Sequence, residues 1–175
     1  MTWLRPCKDY WVRLAVFFLA IPLLASCQTV PPAPTGFSKE QVAVLESYDF
    51  VETDGQWELG LEGKLLFPFD QSSLAPEQLE RLKTMAARLL EVGIAGCRID
   101  GHTDAMGSEQ YNRELSLRRA EVVRSALIAG GMEESSVQVR GMGASRPIEN
   151  NSTAQGRREN RRVTIIVSPG ESYSF

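Results

Sequence analysis

Asp104, Asn112, Leu115 and Arg119 are the residues whose types and spacing could do recognition chemistry. Asn112, Leu115 and Arg119 lie three and four positions apart, so on a helix they share one face, whereas Arg118 is turned about 100° away. Asp104 precedes that helix by a short loop, in Gly101-His102-Thr103-Asp104. A carboxylate, a guanidinium fork and the unpaired amides of a helix start would then converge. Such a set suits a zwitterion that carries both an ammonium and a carboxylate. Each residue also has a plainer reading. Asp104 can serve as a helix cap, Arg119 as a structural ion-pair partner and Asn112 as a packing residue.

Catalysis fits poorly. The chain has one histidine, His102, which reads best as a hydrogen-bonding residue at a strand end. A hydrolase built on His102 and Asp104 would lack a second placed acid, and no His/Cys set for zinc accompanies them. No Lys-Ser/Thr follows Gly141-Met142-Gly143, so these glycines read as a tight turn rather than a phosphate cradle. No cofactor is expected, and the chain is read as a non-enzyme.

The elements that must position these residues follow from periodicity and punctuation. Ser38 and Gln41 make a capping box, with Phe37 as a staple, for a two-turn helix ending at Ser47. Asp54-Gly55 is a turn, after which Trp57, Leu59 and Leu61 alternate as a strand or hairpin arm. Lys64 to Phe69 reads as a second extended run. Pro76 opens a helix carrying Leu79, Leu82, Ala86 and Leu89, closed near Gly93. Cys97 to Asp100 is a short strand, with Cys97 an apolar filler of the core. A long helix runs from about Ser108 to Ala129, with Tyr111, Leu115, Val122, Ala126 and Ala129 expected along its inner side. Val137 and Val139 mark a strand, Gln155 to Asn160 a short helix, and Arg162 to Val167 the last strand, with Val163, Ile165 and Val167 inward. Alternation sends Arg161 and Arg162 to opposite faces without saying which of them meets the site. The pattern predicts an α+β, two-layer fold: helices on one face of a mixed four-stranded sheet, plus a short N-terminal helix.

The first thirty residues are of another kind. A basic start leads into Leu14 to Leu24, eleven apolar residues, too short to span a bilayer comfortably. Leu24-Ala25-Ser26-Cys27 then resembles a bacterial lipobox, which implies diacylglyceryl transfer to the Cys27 thiol, cleavage before it and acylation of the new amine. Residues 1–26 are thus expected to be a lipoprotein signal peptide that also carries away Cys7, and 27–37 a proline-bearing tether. Residue 28 is Gln rather than the Asp that holds enteric lipoproteins at the inner membrane. The resemblance therefore implies lipid anchoring in the outer membrane, facing the periplasm. Removing the three basic and one acidic side chains of residues 1–26 from totals of 19 and 22 leaves 16 against 21. That surplus of acid argues against a nucleic-acid partner.

The run GHTDAMGSEQYNRELSLRRAEVV, then GMGASRPIENNSTAQGRRENRRVTI, preceded by LLFPFDQSSLAPE, resembles the peptidoglycan-binding OmpA-like domain over about residues 64–168. The resemblance implies that Asp104 and Arg119 grip the zwitterionic end of diaminopimelate in the peptidoglycan stem. Thr103 belongs to the same triplet as Asp104, Asn112 and Leu115 match ligand-flanking positions, and Arg161 of Asn160-Arg161-Arg162 lies near the pocket. The stretch FSKEQVAVLESYDF followed by GQWELGLEGKLLF is similar to the start of YfiB-type lipoproteins, which implies a further partner, a periplasmic YfiR-like repressor that restrains a diguanylate cyclase. Where those proteins carry Asn-Tyr, Ala105-Met106 stands here and alters the pocket rim. Residues 38–63 are the segment added to the wall-binding domain, and 169–175 a flexible tail. Glu40, Leu45, Glu46 and Trp57 in this segment are candidates for meeting the partner, against the alternative that its apolar stripe completes the core. A purely structural link between outer membrane and cell wall is the competing function.

Overall fold

The computed structural model describes residues 36–61 and 72–169. Residues 1–35, 62–71 and 170–175 lie outside the described residues, and with them fall the expected signal peptide, Cys27, most of the tether, the run from Lys64 to Phe69 and most of the tail. Among the described residues no helix is long and apolar enough to cross a membrane.

Helix α1 spans Lys39–Ser47 and starts on the expected capping box: Ser38 Oγ accepts from the Gln41 amide at 3.2 Å, and Gln41 Oε1 accepts from the Ser38 amide at 2.9 Å. Such reciprocal satisfaction of orphan amides lets so short a helix form. Its partners finish the job. Leu45 is completely buried, and Gln41 Nε2 donates to the Val92 carbonyl at 3.0 Å. Strands β1 (Val51–Thr53) and β2 (Gln56–Gly60) form a hairpin around Asp54-Gly55, whose φ values of 50° and 78° suit the two-residue turn that matches strand twist. Helix α2 (Pro76–Glu91) begins at its proline, with the Ala75 amide held by Gln78 Oε1 at 2.9 Å. Strand β3 (Cys97–Gly101), helix α3 (Glu109–Ala129), a single 3₁₀ turn (Glu134–Ser136), strand β4 (Val137–Gly141), helix α4 (Ala154–Asn160) and strand β5 (Val163–Val167) follow.

The sheet has the order β1-β2-β5-β3-β4; β3 and β4 are parallel and the other pairs antiparallel. It is mixed, as expected, but among the described residues it has five strands rather than four, because the hairpin turn adds β1 beside β2. Helix α3 lies against β3 and β4, and α2 packs on α3. Between the layers sit Trp57, Leu59, Cys97, Ile99, Val137, Val163, Ile165 and Val167 from the sheet, with Leu82, Met85, Leu89, Ala120, Val123 and Leu127 from the helices. Each such aliphatic side chain contributes about 2 kcal/mol on burial. The thiol of Cys97 is fully buried, and burial pushes it up to about 12, so it is an inert filler.

Two expectations need correction. The inner stripe of α3 is Leu115, Ala120, Val123, Ala126 and Leu127, while Tyr111 is exposed, Ala129 faces solvent and Val122 is only half-buried. Polar Asn112, Ser116 and Arg119 occupy inward positions, which misleads a count of apolar residues. Leu45 and Trp57, candidates for a partner surface, are core residues instead; Glu40 and Glu46 of the same segment are exposed. The stripe of α1 thus folds back on the domain.

Candidate functional site

The site is assembled where β3 runs out and α3 begins. Gly101, the last residue of β3, sits beneath the middle of α3: a Cβ there would lie 2.0 Å from the Ser116 carbonyl oxygen. Only glycine lets helix and strand approach this closely. Beyond it the chain is pinned from three sides. The His102 amide donates to the Arg162 carbonyl at 2.9 Å, the Thr103 amide to the Gly143 carbonyl at 2.9 Å, and the Ala105 amide to Asn151 Oδ1 at 3.1 Å. The turn into α3 uses Gly107 at φ 94°, and Ser108 caps the helix by accepting from the Tyr111 amide. Ser108, not Asp104, is therefore the cap.

Asp104 is left for other work. Its Oδ1 accepts from the Met106 amide at 3.0 Å and its Oδ2 from Arg161 Nη1 at 2.7 Å. Only 7% of the Asp104 side chain and 23% of the Arg161 side chain are exposed, so this charge-assisted bond is poorly screened. Asn112 Nδ2 donates to the Met106 carbonyl at 3.0 Å and so fixes the loop over the first turn of α3. Arg119 is 1% exposed. A cavity of about 310 Å³ gathers these groups: its lining includes Thr103, Asp104, Asn112, Leu115, Arg119 and Arg161. Every site residue expected from the sequence to bind the wall peptide thus borders one cavity. Arg118, out of phase by one residue, is exposed. Met106 stands 61% exposed at the rim, beside Gly107 and Tyr111.

Of the two arginines before β5, Arg161 meets the cavity, and Arg162 is buried elsewhere, its Nη2 donating to the Arg146 carbonyl at 3.3 Å. His102 is buried as well; its amide holds the Arg162 carbonyl, while Nδ1 of its ring has no hydrogen-bond partner among the described residues. Burial, then Arg162 and Arg146, lowers its pKa to about 4, so the ring is neutral at ordinary pH. No cluster among the described residues could hold a metal ion.

One supporting residue escaped the sequence reading. Asn160 is completely buried, and its Oδ1 accepts from the Ile148 and Glu149 amides at 2.8 and 3.0 Å. Its Nδ2 donates to the Glu149 carbonyl and to Asn151 Oδ1. Asn151 in turn holds the Ala105 amide, so one amide side chain links the loop before α4 to the loop bearing Asp104. Its place beside Arg161 in the Asn-Arg-Arg motif was the only signal for it.

A strand–loop–helix cavity with a carboxylate and two guanidiniums, on a two-layer mixed sheet, defines a class, and comparison with known proteins agrees. The OmpA family pattern matches residues 66–161, and the chain belongs to that family. Its relatives narrow this to the YfiB-type members. The outer-membrane lipoprotein YfiB of Pseudomonas aeruginosa is 46% identical over 156 residues, covering 89% of this chain and 92% of that protein. A lipoprotein named YfiB in Escherichia coli is 44% identical over 148 residues, 83% and 90% of the two chains. Among solved structures, the peptidoglycan-associated lipoprotein from Burkholderia pseudomallei is 27% identical with a TM-score of 0.54, over 58% of this chain and 86% of that one.

Proposed function

We propose that this chain is an outer-membrane lipoprotein, anchored through Cys27 and facing the periplasm, that binds peptidoglycan non-covalently by the diaminopimelate end of the stem peptide. The observation that carries the reading is the convergence of Asp104, Asn112, Leu115, Arg119 and Arg161 on a single cavity. Arg119 and Arg161 would receive the carboxylate of the diamino acid, Asp104 would face its ammonium, and Leu115 would pack against its methylenes. Binding is the whole activity in this reading, with no bond made or broken. The names of the relatives, an outer-membrane lipoprotein and a peptidoglycan-associated lipoprotein, support the location and the ligand class. Residues 1–26 would be removed as a signal peptide, and 27–37 would span the gap to the domain, which occupies 64–168 with 38–63 added in front.

The likeness to YfiB-type proteins extends through α1 and the hairpin, beyond the region matched by the family pattern. This supports a second role: sequestering a periplasmic YfiR-like repressor and so relieving a diguanylate cyclase. Glu40 and Glu46 are the exposed residues of that segment for such a contact.

The wall-binding reading is tested by sedimentation of the full chain with purified sacculi. Wild type should pellet. D104A and R119A should each weaken binding by about tenfold or more, since removing one member of a desolvated charge set costs about 2 kcal/mol or more. Undiminished pelleting of both variants, each still melting cooperatively, would reject the pocket.

A further inference from the structure

The two ends of the sheet differ in charge. Strands β3 and β4 end together at Gly101 and Gly141, at the pole where the cavity lies, and β5 starts there at Val163. The chain from Arg140 to Arg162 is pinned to this pole through Gly143, Asn151 and Arg162. It carries six arginines against two glutamates, a net of plus four. The opposite pole, where β3 and β4 begin, is acidic. Glu52 and Asp54 of the β1–β2 hairpin lie at that end, as do Glu133 and Glu134 just ahead of β4, and all four are exposed.

Three arginines of the basic pole have structural roles. Arg161 holds Asp104, Arg157 Nη1 donates to the Asn151 and Ser152 carbonyls, and Arg162 is buried. Arg140, Arg146 and Arg158 are exposed and form no ion pair among the described residues. Arg146 is close enough to His102, just past the end of β3, to help hold that ring neutral. Such exposed guanidiniums act at range, over about 10 Å at 0.1 M salt.

We propose that Arg140, Arg146 and Arg158 form a second contact with the wall, an electrostatic footprint for carboxylates of stem peptides neighbouring the one held in the cavity. A polymer seated in the cavity is brought onto this pole. The acidic pole is turned away from it, so the domain stands end-on, with its strands pointing at the wall. This rests on the cavity being a wall-binding site, and the two ideas fail in different ways. Exposed charges act by range rather than through desolvated bonds, so the footprint has a signature that the cavity lacks, its sensitivity to salt.

The test is sedimentation of the full chain with sacculi from about 0.05 to about 1 M sodium chloride, on proteins that melt cooperatively. Wild-type affinity should fall by about tenfold or more across that range. R140Q/R146Q/R158Q should bind about tenfold more weakly at the low end and vary by less than about threefold with salt. At the high end, where screening leaves a range of only about 3 Å, it should match wild type. R140K/R146K/R158K keeps the charges and should follow wild type. K39Q/K83Q/R88Q removes as many cations from the other end, near Val92 and Gly130, and should follow it too. D104A should be weaker at every salt concentration, with the slope retained.

A glutamine triple variant with wild-type affinity and salt dependence overturns the proposal. If that variant has meanwhile lost a salt-sensitive association with phosphatidylglycerol vesicles, the face belongs to a lipid surface instead. Equal losses in R140Q/R146Q/R158Q and K39Q/K83Q/R88Q also overturn it, since net charge alone would then explain the binding. If D104A and R119A keep full binding while the glutamine triple variant loses it, the cavity reading falls and the footprint stands.

Discussion

Replacing Gly101 by alanine tests whether the site depends on the close seating of α3 against β3. The added Cβ would stand 2.0 Å from the Ser116 carbonyl oxygen and 2.8 Å from its carbonyl carbon. Ordinary contact needs about 3.4 Å or more, and the obstruction is backbone, which cannot rotate away as a flexible side chain can. The helix must then recede by about 1 Å, or β3 must bend. Overpacking of this kind costs about 1–3 kcal/mol, equivalent to a fall in Tm of roughly 3–15 °C for a domain of this size. The damage should extend to the cavity, because Asn112, Leu115 and Arg119 ride on the displaced helix while Asp104 stays with the strand. Thermal melts followed by circular dichroism and sacculus pelleting of the same samples read both effects. Gly36, with nothing within 4 Å of its would-be Cβ, supplies the control: G36A should match wild type in both assays. A G101A protein that melts within about 2 °C of wild type and pellets equally well would refute the argument, since no rearrangement of about 1 Å would then separate the two halves of the cavity.

N160A should cost about 1–3 kcal/mol in denaturant unfolding, because the Ile148 and Glu149 amides, the Glu149 carbonyl and Asn151 Oδ1 lose their partner, and should weaken sacculus binding by loosening the Ala105 loop. His102 makes stability depend on pH. Its folded pKa, about 4, lies below the reference 6.5, so the unfolded chain takes up the proton first; stability is intact above pH 6.5 and falls as pH drops toward 4, by at most about 3 kcal/mol. H102Q should flatten that part of a stability–pH curve. L45A should lower stability by about 2–5 kcal/mol, as expected for a completely buried leucine. E40A and E46A should leave the melt within about 0.5 kcal/mol and weaken capture of a YfiR-like repressor in a pull-down.

Elements with chemical punctuation were legible from the sequence. The Ser38 capping box, Pro76 at the start of α2 and Ser108 at the start of α3 fix helix ends by local hydrogen bonding, and local effects survive folding. The phase argument that separated Arg119 from Arg118 succeeded for the same reason, since it needs only helix geometry. Three things were not legible. The inner face of α3 mixes Asn112, Ser116 and Arg119 with its apolar residues, so hydrophobic periodicity pointed to Val122 and Ala129. The pairing of Asp104 with Arg161 spans 57 positions, and strand alternation could not choose between Arg161 and Arg162. Asn160 owes its importance to loop carbonyls and amides 9 to 12 positions away, which no periodic pattern encodes. Leu45 and Trp57 show the limit for surfaces: an apolar residue on a short added segment reads equally as an interface or as core until the partner layer is known.

Strand β5 is the last of the five in chain order, yet it lies third in the sheet, bonded to β2 on one side and β3 on the other. Until residues 163–167 have been made, β2 has no neighbour linking it to β3, and the layer beneath α2 and α3 lacks Val163, Ile165 and Val167. A chain emerging N-terminus first therefore cannot close its core early. Such long-range pairing is slow because the intervening chain must be ordered before any contact rewards it. The topology thus ties closure of the core to the arrival of residues 163–167. Arg161 arrives just ahead of β5, so the cavity lined by Asp104 and Arg119 is completed in the same event as the sheet.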